Sequence, residues 1–70
     1  MSEAKSSIKR AARLHNDRWN SFDAATQAAL AIGECCNDRR GLHIDGLDDD
    51  IRDQLIDTWA EIIRQVLASQ

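Results

Sequence analysis

The residues of this 70-residue chain most readily turned to chemistry are the adjacent thiols Cys35 and Cys36, because vicinal cysteines can bind soft metals or sense oxidation. On a helix, neighbouring side chains point about 100° apart. No second CxxC pair accompanies them, and although His43 could approach one thiol, the set would still lack a fourth ligand. The reading that follows is structural, with Cys36 a small core residue and Cys35 at its boundary; no metal and no cofactor is expected. His15 falls on an apolar stripe one turn before Trp19, where its titration could make a helix seam sensitive to pH.

Two charged clusters invite binding rather than catalysis. The acidic run from Asp45 to Asp53 superficially resembles a calcium loop, but the alternating ligands, central glycine and closing glutamate do not line up. Asp48, Asp49 and Asp50 instead suit a helix N-terminus, one capping free amides and the others favoured by the macrodipole. An acidic helix could also imitate a nucleic-acid backbone on a basic target. Lys5, Lys9, Arg10 and Arg13 lie mostly opposite the apolar stripe, so a dimer would offer two basic helices to phosphates. No short recognition helix follows a turn and no aromatic residue interleaves the cations, which favours a solvated face. No nucleophile, base and orienting acid have a readable spacing, and so small a helical chain offers little concavity, so an enzyme is not expected.

The elements that must position these residues are helices. Ile8, Ala11, Ala12, Leu14, Trp19, Phe22, Ala25, Ala29, Leu30, Ile32 and Cys36 fall within an arc of roughly 160° at the helical repeat. No proline occurs and no glycine precedes Gly33. The pattern predicts an all-α fold: one long helix over about residues 5–38, with a possible kink near 20–22, folded back on a second helix over about 48–69. Asn20, Ser21 and Asp23 mark the one place where the first helix could break. Gly41 sits where a left-handed cap is expected, and the alanines between Ala24 and Gly33 invite close approach by the large side chains of the second helix.

The arms are unequal. At about 1.5 Å per residue the first helix would be roughly 50 Å long and the second roughly 33 Å, leaving Ile8, Ala11, Ala12 and Leu14 uncovered. Burying those four against a second chain would contribute about 3 to 5 kcal/mol per protomer, comparable with the stability of a small domain. The second helix also carries an apolar face near 180° wide, more than one neighbour covers. Both observations predict a symmetric homodimer resembling a four-helix bundle, with an interface drawn from Ile8, Ala11, Ala12, Leu14, His15, Trp19, Phe22, Trp59, Ile62 and Val66.

Composition agrees with a single folded domain: 30% of residues are charged and the formal net charge is −3. Residues 1–19 hold five basic residues against two acidic, a balance of +3, while residues 42–70 hold seven acidic against two basic, a balance of −5. The ends attract, which could set orientation in a dimer more than it adds stability. There is no apolar run of signal-peptide length and none of 18 residues, so a cytoplasmic protein with no membrane contact is expected. Function then falls to interaction: a small regulatory, adaptor or inhibitory protein that binds another protein. If the dimer consumes the apolar surface, the tip formed by Arg39, Arg40, Leu42, His43 and Ile44 becomes the partner-binding candidate. A nucleic-acid-binding dimer is one alternative; a small-ligand binder with a pocket between protomers at His15, Arg18 or Trp19 is another.

Overall fold

A computed structural model describes residues 3–39, 41, 43, 44 and 46–69. Arg40, Leu42 and Asp45 lie outside the described residues. Among the described residues there are three α-helices, α1 (Glu3–Leu14), α2 (Ala24–Asn37) and α3 (Asp49–Ala68), with a 3-10 turn at Trp19–Ser21 between the first two. The all-α expectation is met, and α3 lies within a residue of its predicted bounds.

The single long first helix is not formed. It breaks after Leu14 because residues 15–23 are rich in Asn, Asp and Ser, whose side chains compete for backbone groups. The amide of Arg18 donates to His15 O at 2.9 Å and that of Ser21 to Arg18 O at 2.9 Å. Asp23, in extended backbone, then caps α2 by accepting from the Thr26 amide at 3.0 Å. The break therefore ends at Asp23, with Phe22 left extended before it. Reversal is favourable because α1 can then lie antiparallel along α2, burying Ala11 to 1% exposure within the same chain.

The connection from α2 to α3 follows its sequence signals more closely. Gly41 has φ +78°, the left-handed conformation expected of it, but it lies three residues beyond Asp38, which caps α2 in right-handed backbone. Asn37 Oδ1 accepts from the Ile44 amide at 2.8 Å, drawing the connection back over the end of α2. Asp48 caps α3 through its backbone position, its carbonyl accepting from the Arg52 amide at 2.9 Å. Its side chain makes no capping hydrogen bond, while Asp49 and Asp50 occupy the first turn, where negative charge is favoured.

Helix α2 is the middle of an open arrangement in which α1 and α3 pack on it and scarcely meet each other. Toward α3 it presents Ala25, Ala29 and Gly33, against which Ile56, Trp59, Ala60 and Ile63 pack. A Cβ at Gly33 would stand 3.0 Å from Ile44 Cδ1 and 3.2 Å from Ile56 Cδ1, so the helices meet closely here, against the movable ends of two side chains. Toward α1, about 180° around the same helix, lie Ala31, Glu34 and Cys35, with Ser7 and Ala11 of α1 buried in the seam. Carboxylate and guanidinium pairs tie the edges: Arg10 to Asp38, Arg39 to Glu3 at 2.6 Å, and Arg64 to Asp23 at 2.9 Å.

The core is thin. Every buried side chain among the described residues belongs to an alanine or to Ser7, while Ile8, Leu14, Ile32, Ile51, Ile62, Val66 and Leu67 are exposed.

Candidate functional site

The sides of the open arrangement differ in chemistry. On one, a groove of about 590 Å³ runs over α2 between the end of α1 and the first half of α3. Its apolar lining comes from Leu14, Leu30, Ile44 and Ile56, and its polar lining from His15, Glu34, Asn37, Arg52, Asp53 and Asp57. Arg52 pairs with Asp49 at 3.3 Å. The other side holds a shallower, almost wholly apolar crevice lined by Ala4, Ser7, Ile8, Ala28, Ala31, Ile32 and Cys35.

Helix geometry extends that second face across α3. Leu30 and Asn37 point into the groove, and Ala28, Ile32 and Cys35 lie on the opposite side of α2. On α3, Asp53 and Asp57 border the groove, and Leu55, Ile62 and Val66 lie roughly 180° around the helix from them. Ile8 on α1, Ile32 on α2 and the Leu55, Ile62 and Val66 row on α3 therefore share one face. Ile62 and Val66 are 53% and 52% exposed, so this face has no partner within the chain.

The predicted site residues are divided by this geometry. Ile8, Ala12, Trp59, Ile62 and Val66 belong to or border the apolar face, whereas Ala11 is buried within the protomer. Leu14 and His15 line the groove instead. Phe22 packs edge-on against the His15 ring at 5.9 Å between centroids, with the Arg18 guanidinium 6.0 Å from the Phe22 centroid, so these residues lock the elbow. Trp19 is half-buried there, its carbonyl accepting from Gln27 Nε2 at 2.7 Å. Of the tip, Arg39 is engaged with Glu3, His43 is exposed, and Ile44 turns inward to the groove. Of the basic cluster, Arg10 is held by Asp38 and donates to the Glu34 carbonyl, while Lys9 and Arg13 are exposed.

Electrostatics is dominated by the inter-helix pairs. Arg64, with the Thr26 hydroxyl and amide, holds the Asp23 carboxyl well below the ordinary carboxylate range, and Asp23 in turn raises Arg64. Arg39 is raised by Cys35 and Glu3. Cys35 and Cys36 are free thiols, and His15 lies across α2 from Cys35. Among the described residues no cluster of three or more His, Cys, Asp or Glu could hold a metal ion, and no helix is long and apolar enough to cross a membrane.

Sequence reasoning missed the groove and the part played by Ile32 and Leu55. A usable signal was present: Ala4, Ser7 and Ala11 recur at intervals of three and four, the small-residue row of a helix packed closely on a neighbour. Its counterpart is Ala28, Ala31 and Cys35, again at three and four. No family model, no curated protein and no solved structure matches this chain.

Proposed function

We propose that this chain is a small, non-enzymatic regulatory or inhibitory protein that acts by binding another protein, and that it does so as a homodimer. The observation that carries the reading is the unpartnered apolar face spanning all three helices above a core of alanines. A single core of this size supplies only a few kcal/mol. Covering a half-exposed Ile or Val contributes on the order of 1 kcal/mol, so a second chain on this face adds as much as the core itself.

The face and the groove divide the work. A dimer that covers the apolar face leaves both grooves open, each with an apolar floor and a rim carrying Asp53 and Asp57 beside Arg52. Such a groove suits a protein segment with apolar and basic side chains. The engagement of Arg10 by carboxylates weighs against nucleic acid as the target, because it removes a central cation from the basic helix.

Light scattering across a dilution series tests the assembly, with a dimer mass expected for the wild type and a monomer for Ile62→Asp. Affinity capture from the source cell, run in parallel with Leu30→Glu and with Lys9→Gln/Arg13→Gln, tests the target. Capture of a protein lost in Leu30→Glu and kept in the double variant supports the reading. A monomeric, stably folded wild type, or recovery of nucleic acid that depends on Lys9 and Arg13, overturns it.

A further inference from the structure

Resting on the homodimer reading above, we infer that the apolar face docks on the same face of a second copy about a two-fold axis parallel to the helices, so that α1 of each protomer covers α3 of the other. Ile8, Ile32, Ile62 and Val66 are each close to half exposed, and Leu55 and Trp59 are half-buried beside them. Together they leave on the order of 500 Å² of apolar surface, which matches the apolar core of a standard interface of about 800 Å² per partner. A lone helix of a target would cover one of the three rows. A second copy covers all of them.

Two arrangements satisfy the isologous rule that the same patch serves both subunits. With the axis across the helices, α1 stacks on α1, α3 on α3, and the two α2 helices run antiparallel. With the axis along the helices, α1 stacks on α3 and the two α2 helices run side by side in the same direction. Size selects the second. Around Ile8, α1 offers the small Ala4 and Ala12, whereas α3 offers Leu55, Trp59, Ile62 and Val66; small against large fills the layer, and large against large props it open.

The parallel arrangement has a chemical signature, because each residue facing the axis on α2 lies beside its own copy. Cys35 is such a residue, one heptad after Ala28 on the same face. In the antiparallel alternative, centred near Ile32, the two Cys35 residues are about 10 Å apart along the axis, beyond the reach of a disulfide.

Diamide, which takes two electrons and two protons from a pair of thiols, is the probe, applied to the intact protein and read on a non-reducing gel. Wild type and Cys36→Ser are expected to form covalent dimers, and Cys35→Ser is not. Ala28→Cys, made with Cys35→Ser and Cys36→Ser, is expected to cross-link to its own copy. Light scattering on the same samples separates the failures. A dimer that cross-links at neither position 28 nor position 35 overturns this arrangement and leaves the homodimer standing; a monomer overturns both.

Discussion

Ser7 gives the sharpest test of how α1 is held. Its hydroxyl is buried at 3% exposure and has no hydrogen-bond partner, in a seam it shares with Ala28, Ala31 and Cys35 of α2. A buried, unsatisfied polar group costs about 1 to 3 kcal/mol, and Ser→Ala inside a helix gains a further few tenths of a kcal/mol in propensity. Against this stands the void left by one oxygen, below about 1 kcal/mol. Ser7→Ala is therefore expected to stabilise the fold by about 1 to 2 kcal/mol, raising the thermal midpoint by roughly 4 to 8 °C per kcal/mol in a domain of this size. Ser7→Leu is expected to do the reverse, costing about 1 to 3 kcal/mol by forcing α1 away from Ala31. Thermal and urea unfolding followed by circular dichroism at one protein concentration measures both. If Ser7→Leu is neutral or stabilising, α1 does not pack on α2 as described, and a projecting arm like that of one continuous helix is restored.

Two further perturbations probe the α2/α3 side. The Asp23 carboxylate is held below its ordinary range by Arg64, so its contribution is present above the unfolded value near pH 4 and is lost as pH falls through the depressed folded value. Asp23→Asn keeps the cap but loses the ion pair; its stability deficit at pH 7 should shrink steadily below pH 4, and a deficit constant with pH in urea titrations would refute the pairing. At Gly33, an added methyl meets only the flexible ends of Ile44 and Ile56, at 3.0 and 3.2 Å. Gly33→Ala should thus be near neutral, the clash offset by about 1 kcal/mol of helix propensity, whereas Gly33→Leu should cost several kcal/mol by prying α3 from α2. Wild-type stability in Gly33→Leu would show that the two helices are not in contact there.

Helical class, the extent of α3 and the turn at Gly41 were legible because each rests on a local signal: apolar periodicity, a glycine past a helix end, and acids in a first turn. The break after Leu14 was not, although Asn20, Ser21 and Asp23 were visible as weak points. The apolar stripe keeps its phase from Ile8 to Cys36, and phase alone cannot distinguish one helix from two whose faces serve different neighbours. Ala11 and Ala29 occupy the same stripe, yet one is buried between α1 and α2 and the other between α2 and α3. The groove was illegible for a related reason. Leu14, Leu30 and Asp57 come together only because α1 folds back, and that depends on the close packing of Ser7 and Ala11 rather than on any chemical motif.

Three helices leave as much large apolar surface uncovered as one long arm would, because the surplus depends on supply rather than on where the helix turns. An antiparallel trio with α2 in the middle buries one row on α1, two on α2 and one on α3, and those rows are filled by alanine, serine and glycine, with Ile56, Trp59 and Ile63 half-covered. Small residues bring backbones close but remove little apolar area from water. The large apolar residues sit one row over, on the flank that no helix of the same chain reaches. A chain whose only need was to fold alone would gain by exchanging these rows, placing Ile8, Ile32 and Ile62 in the seams. Keeping them outside is costly in solution unless another surface covers them, so the distribution that starves the core is the one on which the proposed homodimer rests.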